Sequence, residues 1–167
     1  MTTKHKYWLT KLHGAEFKIM RLQETATRED ILSDTPERTV AYLRSKLPES
    51  IIYRPDVENF GVVLLSTRRR IIGWELIGTG ILDTLLVHPR EVFKPAIVMN
   101  ASAFIAFHNH PSGDPTPSEA DIKVTRDLIR AGQLMKIELL DHVILGSVSS
   151  ERTKDYSSLR ELGYFYS

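Results

Sequence analysis

The run Ala101-Ser102-Ala103-Phe104-Ile105-Ala106-Phe107 is apolar apart from one serine and ends directly on His108. It does not alternate, so it has no side suited to water. A short continuous run of this kind predicts a strand covered on both faces. Such a strand belongs in the middle of a sheet, with other layers packed above and below it. The neighbouring segments supply those layers. "FGVVLLS" and "IIGWELI" flank the polar cluster Arg68-Arg69-Arg70 and predict a β-hairpin, with the arginines as its solvated tip. "ILDTLLV" reads as a continuation of the sheet, and "IELLDHVILG" as a further strand or strand pair.

Helices are marked by their caps. In "SDTPERTVAYLRSKLP", Thr35 suits the cap and Pro36 the first helical position. Val40, Leu43 and Leu47 share a face, and Pro48 ends the helix. "HPREVFKPAIVMNAS" is helical in pattern, but Pro95 inside it costs about 3 kcal/mol in a regular helix. A kink there, or a first turn that is not α-helical, is expected. A third helix is predicted from about Pro117 to Gly132, opened by the capping box Thr116-Pro117-Ser118-Glu119. The first dozen residues are polar and predicted to lack fixed structure, whereas "FKIMRL" reads as a short strand. Strands and helices alternate around one mixed sheet, which makes the class α/β or α+β.

Composition narrows the chemistry. The 167 residues are 42% hydrophobic, enough for one buried core. There is no cysteine, which removes disulfides, thiolate metal sites and a cysteine nucleophile. With 22 basic and 21 acidic residues the net charge is +1, so the chain has no overall electrostatic footprint for nucleic acid. No stretch has the length of a signal-peptide core or a membrane span, and the expectation is a soluble cytoplasmic protein.

The chemistry-bearing segment is "FHNHPSGDPTPSEAD", Phe107 to Asp121. In extended backbone, side chains two apart point the same way, so His108 and His110 can chelate one ion. Ser118 and Asp121, three apart in the first turn of the following helix, share a face. Two imidazoles and the Asp121 carboxylate leave a fourth position open, the arrangement of catalytic rather than structural zinc. An isolated H-x-H is more often a surface loop, with glycine and prolines merely shaping the turn. What favours a metal is the conjunction of a buried strand, H-x-H at its end, and serine and aspartate on a capped helix. The contiguous letters HNH carry no nuclease meaning, because the residues of that motif are dispersed over a ββα unit.

At these residues the chain resembles a known family. His108-Asn109-His110-Pro111, then Ser118 and Asp121, resembles the JAMM motif of MPN/JAB-domain metalloproteases, H-x-H-P followed by S-x-x-D. The blocks "VHPREVFKPAI", "HNHPSGDPTPSEAD", "LLDHVILG" and "SLRELG" resemble the bacterial RadC branch, over about Phe60 to Gly163. The resemblance implies a cytidine-deaminase-like mixed sheet flanked by helices, in residues 51–167, behind an extension, 1–50, with one helix. It implies Zn2+ held by His108, His110 and Asp121, and an upstream glutamate as general base. Glu75 is the expected base, with Glu58 a competitor in the preceding loop. Ser118 matches the serine that donates to the developing oxyanion. Asn109 stands where the common eukaryotic motif has serine or threonine.

Three functions follow as expectations. The first is a JAMM-type zinc metalloprotease or isopeptidase, zinc-activated water attacking an amide bond of a peptide or protein substrate. The second is a DNA-associated role of the DNA repair kind the RadC label implies. Full-length RadC proteins carry a longer N-terminal region resembling helix-hairpin-helix modules, and about fifty residues precede the domain here, so DNA binding is not carried over. The third is a non-catalytic MPN binding module. Asn109 and Asp114 are expected to orient ligands or substrate. His142, in "LLDHVIL", is a third candidate ligand, but in an apolar strand it reads more readily as a core histidine that braces the site with Asp141.

Overall fold

The computed structural model describes residues 8–12, 15–19, 33, 35–80, 87–150 and 152–166. Two short strands, β1 (Trp8–Leu12) and β2 (Ala15–Ile19), form an antiparallel pair of their own. Residues 8–12, expected to lack structure, are therefore a strand, because "FKI" offers them a partner. The expected strand in "ILDTLLV" falls on 81–86, outside the described residues.

Helix α1 (Pro36–Lys46) begins as its signals predict, the Thr35 hydroxyl accepting from the Arg38 amide with Pro36 in the first turn. A 3-10 turn, Leu47–Glu49, replaces its last turn where Pro48 cannot continue the ladder. Strands β3 (Asn59–Leu65) and β4 (Ile71–Thr79) form the predicted hairpin. Of its arginine cluster, Arg69 pairs with Glu138 at 3.1 Å and Arg68 is exposed while Arg69 and Arg70 are half-buried, so the cluster is partly used within the chain. Helix α2 (Pro89–Val98) runs through Pro95 without interruption. The carbonyl deprived of a partner there belongs to Glu91, which is exposed and can turn to water.

Strand β5 (Ala103–Asn109) is buried at every residue. The sheet order is β4-β3-β5-β6-β7, with β6 (Glu138–Leu145) and β7 (Tyr156–Ser158) completing it. Among the described strands only β5 and β6 are parallel, and the helix between them, α3 (Glu119–Met135), makes the crossover. Alternate residues of β5 serve opposite layers. Ala103, Ile105 and Phe107 meet α1 through Val40, Leu43 and Leu47. Phe104 and Ala106 meet α2 and α3 through Val92, Phe93, Ala96 and Leu128. The result is three layers, with His108 on the face covered by α2 and α3. The carboxyl ends of the parallel pair and the start of α3 lie at one end of the sheet, where open α/β sheets present ligands.

Two glycines around this end have no room for a side chain. A Cβ on Gly61 would meet the Phe107 ring and lie 2.6 Å from the Glu75 carbonyl. One on Gly146 would meet the Gly113 carbonyl and lie 2.8 Å from Pro115. The loop after His110 is thus pressed directly onto the end of β6.

Candidate metal centre

Strand β5 carries His108 to the sheet end, and the chain then leaves the ladder. The His110 amide donates to the Leu145 carbonyl at 2.9 Å, which keeps that residue aligned beside β6. Gly113, at φ +80, turns the loop back, and the Asp114 carbonyl lies 2.6 Å from His110 Nδ1. A carbonyl can only accept, so His110 Nδ1 carries a proton and Nε2 faces the site.

The helix start differs from the sequence expectation. Ser118, not Thr116, is the cap, and α3 begins at Glu119 rather than near Pro117. Thr116 is diverted because its amide and hydroxyl both donate to Asp114 Oδ1, at 3.0 and 2.7 Å. The capping box is Ser118 with Asp121. The Ser118 oxygen accepts from the Asp121 amide, while Asp121 Oδ2 accepts from the Ser118 amide at 2.8 Å and hydroxyl at 2.6 Å. The S-x-x-D signature is therefore itself a helix cap, and it fixes the carboxylate. Ser118's single hydroxyl proton is committed to Asp121 in this arrangement, so the expected oxyanion role requires that proton to swing away.

His108, His110 and Asp121 come together. His108 Nε2 lies 3.0 Å from His110 Nε2 and 3.1 Å from Asp121 Oδ1, and His110 Nε2 lies 3.6 Å from Asp121 Oδ2. Ligands at about 2.0–2.1 Å from a tetrahedral zinc stand about 3.3 Å apart. The observed separations, which reach Asp121 through Oδ1 from His108 and through Oδ2 from His110, lie close to that size. Burial would push Asp121 up, but the hydrogen bonds from His108 and His110, with His108's charge and Ser118, hold it well below the usual carboxylate range. Hydrogen bonding to Asp121 and Asp114, with the Asp121 and Glu58 charges, outweighs burial and raises His110. The donors fit a zinc ion, both in size and in being a buried anion beside two inward-facing imidazoles.

Glu58 completes the group. Its carboxylate is 3.9 Å from His110 Nε2, and one donor atom each of Glu58, His108 and His110 fall within 4.8 Å of one another. Side-chain exposure rises from 1% at His108 through 11% at Asp121 and 15% at His110 to 25% at Glu58. Glu58 thus stands on the solvent side of the cluster. Glu75 is not brought there. It pairs with Val62, which pairs with Ala106, two residues short of His108. Two strand spacings and two residues along the strand put its Cα about 12 Å from that of His108. Glu75 is exposed, with Lys94 as its charged neighbour.

The loop bearing Glu58 is held by Asn109. Asn109 Oδ1 accepts from the Asn59 amide and from Asn59 Nδ2, both at 2.9 Å, and its Nδ2 donates to the Val57 carbonyl at 3.0 Å. Both backbone neighbours of Glu58 are thereby tied to the residue between the two histidines. On the other side, His142 is fully buried, with Nε2 2.9 Å from His108 Nδ1 and Nδ1 2.7 Å from Thr125 Oγ1. Burial lowers its pKa well below the ordinary histidine value. Asp141 accepts from the His142 amide at 2.7 Å and from the Ser158 hydroxyl at 2.7 Å, tying β6 to β7 behind the site. Thr125 carried no signal beyond its i+4 spacing from Asp121. A cleft of about 320 Å³ adjoins His110, walled by Tyr53, Pro55, Leu145, Gly146 and Ser147.

No helix among the described residues is long and apolar enough to cross a membrane. The family model described as RadC-like JAB domain matches residues 33–164. The chain is 50% identical over 108 residues to a UPF0758 protein of Caldanaerobacter subterraneus subsp. tengcongensis, covering 65% of this chain and 44% of that protein. It is 40% identical over 142 residues to a UPF0758 protein of Thermosynechococcus vestitus, covering 85% and 52%. It is 48% identical over 107 residues to UPF0758 protein YsxA of Bacillus subtilis, covering 64% and 44%. The chain spans about half the length of the curated relatives it matches. With a five-stranded mixed sheet between helices, a histidine pair at the end of its central strand and a family match over most of its length, the chain belongs to the RadC-like JAB domain family.

Proposed function

We propose that this domain is a zinc-dependent hydrolase of the JAMM type acting on an amide bond of a peptide or protein. The observation that carries the reading is the cluster of His108, His110, Asp121 and Glu58, in which three donors form a triangle of zinc dimensions and the fourth stands at its open edge. His108, His110 and Asp121 would hold the ion. Zinc in that set is a Lewis acid that polarises a carbonyl and acidifies water to a pKa of about 7.

The protein's own residues supply the rest. Glu58, rather than Glu75, takes the general-base role, because it is the carboxylate that reaches the open edge with solvent access. It accepts a proton from the attacking water and returns it to the leaving amine. Ser118 holds Asp121 in place and, with its proton released from Asp121, faces the reacting group as a donor. Asn109 positions Glu58 through the backbone on either side of it. The cleft beside His110 offers an apolar and backbone-lined wall for the chain next to the scissile bond.

The test is zinc content and turnover measured together on metal-reconstituted protein against a library of peptides. Glu58→Gln retains one zinc per chain and loses hydrolysis, Asp121→Asn loses zinc, and Glu75→Gln keeps both. Undiminished turnover in Glu58→Gln, or a zinc-loaded wild type that leaves the whole library intact, counts against this reading.

A further inference from the structure

The cleft of about 320 Å³ beside His110 has walls whose chemistry points to what fills it. Leu47 and Leu145, both buried in the core cluster of the α1 layer, line it. Pro48, Pro55 and the ring of Tyr53, itself packed on that cluster, add further apolar wall. The end toward the metal site is formed by Asn109 and His110. The two segments that border the cleft also carry exposed apolar side chains, Ile51 and Ile52 just before Tyr53 and Val148 just after Ser147. One such residue on a surface is ordinary, but here three accompany an apolar cleft.

Charge narrows the occupant further. Among the described residues Arg44 brings a full charge to the cleft, and that charge is already answered. Its Nη2 lies 2.7 Å from Asp155 Oδ2 and donates to the carbonyls of Gly146 and Asp155, at 3.0 and 3.3 Å. Arg44 is thus a strut that holds the end of β6 to the segment entering β7. An acidic ligand group would give up its hydration for a cation that has a partner. No carboxylate lines the cleft among the described residues, so a lysine or arginine would find no counter-charge there and would face Arg44. An apolar group suffers neither penalty. The volume lies at the small end of ligand pockets, which run from about 300 to 1,000 Å³.

Resting on the reading of the neighbouring centre as an amide hydrolase, we propose that this cleft is its specificity pocket. The occupant is a bulky apolar side chain, aromatic or of leucine size, from a residue beside the scissile amide of an extended peptide. An extended chain advances about 3.3–3.6 Å per residue, and the cleft shares His110 with the metal site, so a neighbouring side chain falls into it. Tyr53 is the specificity-determining residue, because its ring forms a wall without belonging to the metal cluster. Bulky apolar side chains are mostly buried in folded proteins. The substrate class is therefore unfolded or tail-like chain. Full burial of a leucine or phenylalanine side chain corresponds to a preference of about 10–100-fold over alanine.

The probes are blocked hexapeptides of glycine and alanine with one residue, Phe, Leu, Lys or Glu, placed in turn at each position, and the all-Gly/Ala parent. Binding is read on the metal-free full chain from the backbone amide signals of Gly146 and Ser147, and cleavage on zinc-reconstituted protein by mass spectrometry. Phe and Leu peptides should bind, and be cleaved, about 10–100-fold better than the parent and the Lys and Glu peptides. Tyr53→Ala should remove most of that preference while leaving the parent peptide unchanged. Ser147→Glu, at an exposed position where folding is not at stake, should raise the Lys peptide relative to the Phe peptide by up to about fivefold. Equal responses to all the peptides, or a folded Tyr53→Ala that keeps the Phe preference, overturn the proposal. Cleavage without preference keeps the hydrolase and refutes the pocket. Selective binding of Phe and Leu peptides without any cleavage keeps the pocket and counts against the hydrolase.

Discussion

Replacing Asn109 with alanine tests whether the residue between the two histidines holds the base-bearing loop. The substitution deletes three hydrogen bonds, to the Asn59 amide, to Asn59 Nδ2 and to the Val57 carbonyl. Two of those partners keep other bonds, because Asn59 Nδ2 also donates to the carbonyls of Arg54 and Val57, at 2.7 and 2.8 Å. The Asn59 amide has no such alternative shown, and Asn59 is 1% exposed. An orphaned buried donor costs about 1–3 kcal/mol, and each remaining lost bond about 1 kcal/mol or less. The expected loss is therefore about 2–4 kcal/mol, which for a domain of this size lowers Tm by about 5–15 °C. Urea and thermal unfolding measure it, with zinc content and turnover taken on the same samples. Because neither histidine ring is touched, zinc should remain at one per chain while hydrolysis falls with the loss of Glu58 placement. A stability loss below about 0.5 kcal/mol, or turnover unchanged, would show that Asn109 does not govern the Glu58 loop.

Two further outcomes follow from the same geometry. His110 is raised above its ordinary value of 6.5, so in the metal-free protein its proton adds stability that is complete below the unfolded pKa and lost as pH climbs through the folded one. Zinc must displace that proton, so its affinity should rise with pH over the same window, with proton release visible by calorimetry in buffers of different ionisation enthalpy. A pH-independent affinity would contradict this. Gly61→Ala should cost about 1–3 kcal/mol by overpacking, because its methyl meets the Phe107 ring and the Glu75 carbonyl. Denaturation curves that superimpose on wild type would show that the sheet yields there at no cost.

Much of this architecture is legible in the residues, for identifiable reasons. The buried central strand announces itself because seven consecutive positions avoid polarity apart from Ser102. The β3-β4 hairpin and α1 are marked by turn residues and by Thr35-Pro36, signals that act over a few positions. The start of α3 was harder, since Thr116 and Ser118 are both competent caps and the arbiter is a local bond to Asp114. The proposed ligand set is legible in the sequence because it lies within one strand-turn-helix segment. The proposed base is not. Glu58 and Glu75 are both upstream carboxylates, and only the fold shows Glu58 3.9 Å from His110 Nε2 while the register sets Glu75 two residues short of His108 and two strands away. Thr125 was hidden for the same reason: its meeting with His142, itself read from the sequence as a brace, depends on the parallel pairing of β6 with β5 and on α3 lying over it.

The placement of the four donors also orders events in time. Thirteen positions separate His108 from Asp121, whereas fifty separate Glu58 from His108. Closing the shorter loop is the smaller entropic demand, and a metal ion that binds there rewards it at once. Glu58 arrives only when β3 docks along β5, a non-local pairing that forms slowly in a folding chain. A chain that folds in this order would bring His108 and Asp121 together before Glu58 joins them. On the proposed reading, the base would be the last part of the site to be placed, as closure of the sheet shields the rest of the core.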